Sequence, residues 1–222
     1  MSSLVVAIDG PSGSGKSSTS RGVASRLGMR YLDTGAMFRA ITWWMLTHDV
    51  DVTDADAVAA RAGDAIIESG TDPQAPTILV DGEDASVAIR SDAVNAAVSP
   101  VSAVPAVRTR LLELQRSIIE AGSDIVVEGR DIGSVVAPGA AVKVYLTADP
   151  AARATRRAAE AGGDVATTQE SLLARDRIDS GRATAPLTMA DGAVHIDTTP
   201  YTLDEVVGQV VALVEAVSGA EA

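Results

Sequence analysis

The sequence predicts an α/β fold in which helices flank a parallel β-sheet. Apolar runs of strand length recur along the chain, and they are continuous rather than alternating, which is typical of strands buried on both faces. Segments with helical periodicity separate these runs, and this alternation favours strand–helix–strand units. A third observation is a region of short runs divided by turn residues, which indicates a small antiparallel insertion into the parallel fold.

The individual elements follow from these patterns. The predicted strands span residues 4–8, 125–127, 142–146 and, more weakly, 194–196. The predicted helices span about 15–27, 36–46, 104–121, 150–160, 170–180 and 203–217. The insertion lies at about 62–91, where three short runs surround the tight-turn dipeptide Asp81-Gly82.

Composition excludes several classes of protein. A chain of 222 residues can bury a sizeable core without disulfides, and the absence of cysteine excludes a thiol nucleophile or a thiolate metal site. A net charge of −12 argues against a broad face for nucleic acid. No apolar stretch is long enough for a membrane span, and no signal peptide is recognisable. We therefore expect a cytoplasmic monomer with neither nucleic-acid nor membrane partners.

The strongest motif is a phosphate-binding loop (P-loop) directly after the first strand. The segment Gly10-Pro11-Ser12-Gly13-Ser14-Gly15-Lys16-Ser17 matches G-x-x-x-x-G-K-[ST], and we expect the ATP-binding residues to extend from it to Ser18. Glycines let the backbone N–H groups surround a phosphate, and the helix directs its positive N-terminus at the same anion. We expect Lys16 to reach the β- and γ-phosphates of ATP and the Ser17 hydroxyl to bind Mg²⁺.

The group that receives the phosphoryl group decides the class of such a protein. A GTPase switch needs a guanine-reading N-K-x-D segment, which is absent here, and motor ATPases are larger. A small-molecule kinase needs a second anion site and a lid that excludes water. Asp33-Thr34-Gly35, one turn before Arg39, has the composition of such an anion site, although an ordinary helix cap has the same composition.

A second acceptor-side motif, Glu128-Gly129-Arg130-Asp131, follows the strand at 125–127. The carboxyl ends of strands are where ligands bind in α/β folds. Glu128 is suited to hold Mg²⁺ through water, while Arg130 and Asp131 are expected to point toward the substrate.

Arginines cluster in the segment expected to form the lid. Arg153, Arg156 and Arg157 share one helix face, and Arg175, Asp179 and Arg182 share another. A solvated helix has the same spacing, so both interpretations remain open. Gly162-Gly163 and Gly181 are expected to absorb hinge motion. We predict one kinase domain over 1–222, with a core at 1–61, 92–149 and 187–222, the insertion at about 62–91 and a helical lid at about 150–186.

These motifs together resemble the bacterial cytidylate kinases, from Val6 to about Asp197. The resemblance rests on the P-loop and on three further segments: Leu32-Asp33-Thr34-Gly35-Ala36-Met37-Phe38-Arg39, Glu128-Gly129-Arg130-Asp131-Ile132-Gly133 and Arg175-Asp176-x-x-Asp179-x-x-Arg182-x-x-x-Pro186-Leu187. It implies a Mg²⁺-dependent transfer of phosphate from ATP to CMP, and to dCMP. The insertion then corresponds to the region that binds the nucleoside monophosphate.

The resemblance also implies a role for each matched residue. The expected CMP phosphate ligands are Thr34, Arg39, Arg130 and Arg182. The expected cytosine contacts are Ser99, Arg108 and Asp131, and the expected ribose contacts are Arg175 and Asp179. Arg153 and Arg157 are expected to lie against ATP, and Lys16, Arg130, Asp131 and Arg182 to serve catalysis. Phe38 departs from the family, which often has tyrosine there, so a hydroxyl contact is lost.

Two alternatives remain open at this point. The chain could be another small kinase, acting on UMP, AMP, shikimate or dephospho-coenzyme A. It could also be a regulatory protein that binds ATP without phosphorylating a metabolite. An acceptor screen separates them.

Overall fold

The computed structural model describes residues 3–161, 164–182 and 185–219, so Gly162 and Gly163 of the predicted hinge lie outside the described part. The chain divides into two compact units. The first comprises Met1–Arg30 and Ser123–Ala222, and the second comprises Tyr31–Gly122.

The elements are numbered in chain order. Strands β1 to β8 are Val5–Asp9, Arg30–Asp33, Ile67–Ser69, Ile78–Val80, Glu83–Asp84, Ile125–Gly129, Val142–Thr147 and Val194–Asp197. Helices α1 to α8 are Lys16–Leu27, Thr34–Thr47, Ala55–Ala60, Asp92–Ala103, Pro105–Glu120, Pro150–Ala161, Val165–Ser180 and Leu203–Ser218. A 3₁₀ turn spans Ala88–Arg90, and a π-helical turn spans Ile132–Val136.

The first unit is built on a sheet with the strand order β2-β6-β1-β7-β8, and the unit boundary falls within β2. Strand β1 lies between β6 and β7 and is parallel to both, with Ala7 opposite Val127 and Lys143. Its residues Val6, Ala7 and Ile8 are fully buried, as the continuous apolar run predicted. Helices α1 and α8 pack on each other, α1 packs on β6 and α8 packs on β7.

The second unit contains the predicted insertion as a three-stranded antiparallel sheet, β3-β4-β5. Asp81 and Gly82 form its turn, and both have positive φ. The Asp81 carboxylate accepts hydrogen bonds from Trp44 Nε1 at 2.7 Å and from Ile66 N at 2.9 Å, which ties the turn to α2. The parallel and antiparallel sheets together confirm the predicted fold class.

Several elements were not predicted, and the start of one predicted helix lies elsewhere. Strand β2 is only four residues long and has a polar residue at each end, so it lacks a continuous apolar run. Helix α4 contains Pro100 and the buried polar residues Ser99 and Ser102, which interrupt its helical pattern. Helix α7 begins at Val165, five residues before the predicted start. Within the described ranges, no helix combines the length and the apolarity that crossing a membrane requires.

Candidate active site

The phosphate-binding loop leaves β1 through a backbone that only glycine tolerates. Gly10 has φ of +147°, and a Cβ atom there would lie 2.0 Å from the backbone oxygen of Leu146. Gly15 has φ of +87° and precedes α1 without any side-chain cap hydrogen bond. The N–H groups in the first turn of α1 are therefore left without a side-chain cap, which is typical of an anion site at a helix N-terminus.

Three cations hold the opposite side of this loop through its carbonyl groups. Arg130 Nη1 donates to Gly10 O at 2.5 Å, and Lys16 Nζ donates to Pro11 O at 2.8 Å. Arg153 Nη1 donates to Ser12 O at 3.0 Å. Because the C=O and N–H of a trans peptide point in opposite directions, these bonds direct the following N–H groups of Ser12 and Gly13 away from the cations.

Ser17 and Glu128 meet at the start of α1. The Ser17 hydroxyl donates to Glu128 Oε2 at 3.0 Å, and Glu128 is almost fully buried. A hydroxyl beside a carboxylate fits Mg²⁺, which uses one or two protein groups and takes its other ligands from water and phosphates. Nowhere in residues 3–161, 164–182 and 185–219 do three His, Cys, Asp or Glu side chains form a cluster that could hold a metal without such additional ligands.

Five arginines and two aspartates form a cluster at the end of β6, on α6 and α7 and directly after α7. Asp179 is buried and pairs with Arg130, whose Nε lies 3.0 Å from Oδ2, and with Arg182 through Oδ1. Asp176 pairs with Arg153, whose Nη1 lies 2.6 Å from Oδ2. The members of this arginine cluster are Arg130, Arg153, Arg157, Arg175, Arg182, Asp176 and Asp179.

Arg175 shows that this cluster carries an excess of positive charge. Its Nε is buried and has no hydrogen-bond partner among the described residues. Burial lowers the pKa of the Arg175 guanidinium, and the positive charge of Arg130 lowers it further. Five arginines against two aspartates, with an unused buried donor, form an environment that an anion would stabilise.

The second unit contains the other four predicted substrate residues. Thr34 is buried in the first turn of α2, and Asp33 caps this helix by accepting from Ala36 N at 2.9 Å. Arg39 lies on the same helix, and its Nη1 donates to Ile89 O at 3.1 Å and to Asn95 Oδ1 at 2.8 Å.

Ser99 and Arg108 are brought together at the turn between α4 and α5. Ser102 connects them, because its hydroxyl donates to Ser99 O at 3.0 Å and its own carbonyl accepts from Arg108 Nη1 at 3.2 Å. The Arg108 guanidinium lies 5.4 Å from the centre of the Phe38 ring. The ring at this position therefore packs on a predicted base-reading arginine, although it lacks a hydroxyl.

Asp9 is a buried residue of the first unit to which the sequence assigned no role. Its two carboxylate oxygens accept from Ile132 N and Gly133 N, each at 2.8 Å, and so hold the π-helical turn that follows Asp131. Burial raises the pKa of Asp9 from 3.8 to about 6, although these two N–H groups oppose the shift. The sequence did contain a signal for a role of Asp9, because an acidic residue ends a buried strand directly before the phosphate-binding loop.

The raised pKa of Asp9 predicts how its contribution to stability changes with pH. Since the folded chain binds more protons than the unfolded chain between pH 3.8 and about 6, stability falls as the pH rises through this window. Between about pH 5 and about pH 7, wild type should lose roughly 1 kcal/mol of unfolding free energy relative to Asp9→Asn. Urea denaturation at both pH values measures this difference, and a difference that stays constant or grows in favour of wild type contradicts it.

Comparison with known proteins agrees with this geometry. The family model described as "Cytidylate kinase" matches residues 6–216. The chain belongs to the cytidylate kinase family. A cytidylate kinase from Streptomyces griseus is 59% identical over 216 residues, which cover 96% of this chain and 94% of that protein. Cytidylate kinases from Rhodococcus opacus and Mycobacterium leprae are 50% and 45% identical, each over at least 97% of both chains.

Solved structures support the fold of this family member at lower similarity. A gluconokinase from Sinorhizobium meliloti 1021 superposes with a TM-score of 0.51 and 15% identity, over 99% of this chain and 96% of the other. An uncharacterized protein from Eubacterium ventriosum gives a TM-score of 0.52 and 11% identity, over 96% of this chain and 98% of the other. At these identities the likeness concerns the fold alone.

Proposed function

We propose that this cytidylate kinase family member transfers the γ-phosphoryl group of ATP to the phosphate of CMP, forming ADP and CDP, and that it also accepts dCMP. The observation that carries the proposal most directly is the arginine cluster in the same unit as the phosphate-binding loop. Its positive charge exceeds what Asp176 and Asp179 compensate, and Arg175 Nε is buried with no hydrogen-bond partner in the described part of the chain. An acceptor that brings a phosphate would compensate this charge.

On the donor side, the loop from Gly10 to Ser17 would hold the phosphates of ATP through its N–H groups and Lys16. Arg153 and Arg157 on α6 would flank the same nucleotide, and Arg153 already contacts Ser12 O. Ser17 and Glu128 would hold Mg²⁺. When bound, this ion supplies positive charge to the transferred phosphates.

On the acceptor side, the CMP phosphate would be held by Thr34, Arg39, Arg130 and Arg182, and the ribose by Arg175 and Asp179. Ser99, Arg108 and Asp131 would read the cytosine. A carboxylate such as Asp131 accepts from the cytosine N4 amino group, and a guanidinium such as Arg108 donates to N3 and O2. Uracil has an oxygen in place of the amino group at position 4 and an N–H at N3, so Asp131 would face an oxygen and Arg108 would face an N–H.

The reaction needs charge compensation more than proton transfer. An oxygen of the CMP phosphate forms a bond to the γ-phosphorus while the bond from that phosphorus to the β–γ bridging oxygen breaks. Phosphate monoesters have a second pKa of about 6, so the attacking group is already mostly dianionic at neutral pH and no general base is required. Lys16, Arg130 and Arg182 would reduce the repulsion between the two anions and stabilise the charge on the transferred group.

The insertion and the lid segment would each serve one of the two nucleotides. The insertion at about 62–91 would serve CMP binding, and residues 150–186 would form the lid over the donor nucleotide. We further propose that the protein acts in the cytoplasm as a monomer on small molecules, without nucleic-acid or membrane partners.

The test is ADP release measured with Mg-ATP and each of CMP, dCMP, UMP, AMP and GMP. UMP would leave two buried polar groups mismatched, so CMP should be preferred over UMP by about a hundredfold or more in kcat/KM. Comparable efficiency with UMP would contradict the proposed reading of the base. Stimulation by none of these acceptors would instead favour a nucleotide-dependent regulatory protein.

Asp131→Ala tests the base-reading residue separately. We expect the CMP-to-UMP ratio of kcat/KM to fall by at least about tenfold, because the group that accepts from the N4 amino group is gone. Measuring the ratio, and not the rate with CMP alone, corrects for any general loss of activity. An unchanged ratio assigns base selection to other residues.

A further inference from the structure

Of the three arginines on the predicted face of α6, Arg156 is the one without a proposed contact to ATP or CMP. Its guanidinium is hydrogen-bonded to Thr198, in the loop that follows β8. Nη1 donates to Thr198 Oγ1 at 2.9 Å and Nη2 donates to Thr198 O at 2.8 Å. Thr198 is itself held by its backbone, because its N–H donates to Thr147 O at 2.8 Å.

Thr198 in turn contacts the phosphate-binding loop. It is 3% exposed, and its hydroxyl donates to Ser14 O at 3.2 Å, a carbonyl of a fully buried residue. A hydroxyl has one proton, and a guanidinium can only donate. With Arg156 on a lone pair of Thr198 Oγ1, the proton of this hydroxyl is therefore directed to Ser14 O.

Helix α6 thus reaches the loop at two points on either side of Gly13. Arg153 holds Ser12 O directly at 3.0 Å, and Arg156 holds Ser14 O through Thr198. Fixing Ser14 O turns the next N–H group, that of Gly15, in the opposite direction. Because Gly15 begins the uncapped N-terminus of α1, this N–H belongs to the group of donors that faces a bound phosphate.

We propose that Arg156 and Thr198 are positioning residues for the triphosphate of the donor nucleotide. They hold the Ser14–Gly15 peptide in the orientation that binds phosphate, and neither touches the nucleotide phosphates itself. This inference rests on the proposed function, because it takes ATP as the ligand of the loop. A purely structural role, joining α6 to the loop after β8, is the alternative that the experiment must separate.

Thr198→Val separates the two roles because it replaces the hydroxyl, and with it the acceptor of Arg156 Nη1, by a methyl group and leaves the backbone unchanged. The backbone bonds of Thr198 to Thr147 and Arg156 remain possible in this variant, whereas the link to Ser14 O is lost. Titrating Mg-ATP at saturating CMP should show KM for ATP raised about threefold to tenfold, and calorimetry with ATP alone should show the same loss of affinity. KM for CMP should stay within about twofold of wild type, and Thr198→Ser should restore ATP binding.

Variants at Arg156 test whether it acts through Thr198. Arg156→Ala should weaken ATP binding because it removes both hydrogen bonds to Thr198. Arg156→Lys should weaken it as well, since an ammonium cannot reproduce the bidentate contact of the guanidinium. The double variant Arg156→Ala/Thr198→Val should bind ATP more tightly than two independent losses predict. Arg177→Ala removes an exposed arginine from α7 and serves as the charge-matched control with unchanged binding.

The outcomes are distinguishable from a failure of the proposed function. If wild type phosphorylates CMP but Thr198→Val binds ATP as wild type does, the positioning role is refuted. Equal increases in KM for ATP and CMP, or strictly additive effects of the two substitutions, also refute it. If wild type phosphorylates no acceptor, the proposed function fails, and the calorimetric comparison of the variants still decides whether these residues position ATP.

Discussion

Lys16→Ala should lower kcat by about 10²–10³, the loss expected when one preorganised donor to developing charge is removed. The Lys16 ammonium lies 2.8 Å from Pro11 O, so it is held at the phosphate-binding loop before any nucleotide arrives. The charge that moves onto the β–γ bridging oxygen during transfer would lose the stabilisation proposed for the Lys16 ammonium. Steady-state kinetics at saturating ATP and CMP measures the effect on kcat without a contribution from weakened binding.

The chain provides a matched control, because its only other lysine is Lys143. The Lys143 ammonium donates weakly to Asp191 O at 3.3 Å in an exposed position. Lys143→Ala should leave kcat within about twofold of wild type, since exposed charges contribute little. Equal losses in the two variants, or no loss in Lys16→Ala, would remove Lys16 from the catalytic group.

The second large effect is expected for the stability of Asp179→Ala. The Asp179 carboxylate is 4% exposed and is shared by Arg130 and Arg182, which are 19% and 8% exposed. Removing it leaves two mostly buried guanidinium groups without their common counterion. We expect the free energy of unfolding to fall by about 3 kcal/mol in urea denaturation, as for other broken buried ion pairs.

A bound anion should reverse part of this loss. If the cluster holds the CMP phosphate, saturating CMP should stabilise Asp179→Ala more than it stabilises wild type, because compensating two unpaired guanidinium groups outweighs the loss of one proposed ribose contact. The control is Asp204→Ala, which breaks an exposed pair with Arg26 in which Asp204 is 85% exposed. It should lower stability by at most about 1 kcal/mol, with no extra gain from CMP. Equal losses in the two variants would show that Asp179 does not compensate buried charge.

The fold was predictable where residues at the centre of the sheet are buried on both sides. β1 and β6 show continuous apolar runs that are buried, and the turn at Asp81-Gly82 identified the antiparallel insertion. Where burial is one-sided or the element is short, the sequence carries a weaker signal. β2 has only two buried residues, and α4 reads as a mixture of small, polar and proline residues.

The site was predictable to the extent that it is continuous in the sequence. The phosphate-binding loop is a single segment, and its glycines follow from backbone conformations that few other residues adopt. The contact from Arg156 through Thr198 to Ser14 joins residues that are 42 and 184 positions apart. No spacing rule relates such distant positions. The helical spacing of Arg153, Arg156 and Arg157 placed them on one face correctly, but could not show that Arg153 and Arg156 contact backbone and hydroxyl groups.

The hydrogen bonds that hold the phosphate-binding loop determine how it responds to ionic strength. Lys16, Arg130 and Arg153 all bind neutral carbonyl oxygens of the loop, at 2.8, 2.5 and 3.0 Å. Dissolved ions weaken the attraction between separated charges, but they hardly affect hydrogen bonds at such short range. High salt should therefore weaken the attraction of the anionic nucleotides to the site while leaving the shape of the empty loop intact. Salt would then act on the encounter with the substrate and not on the architecture that receives it.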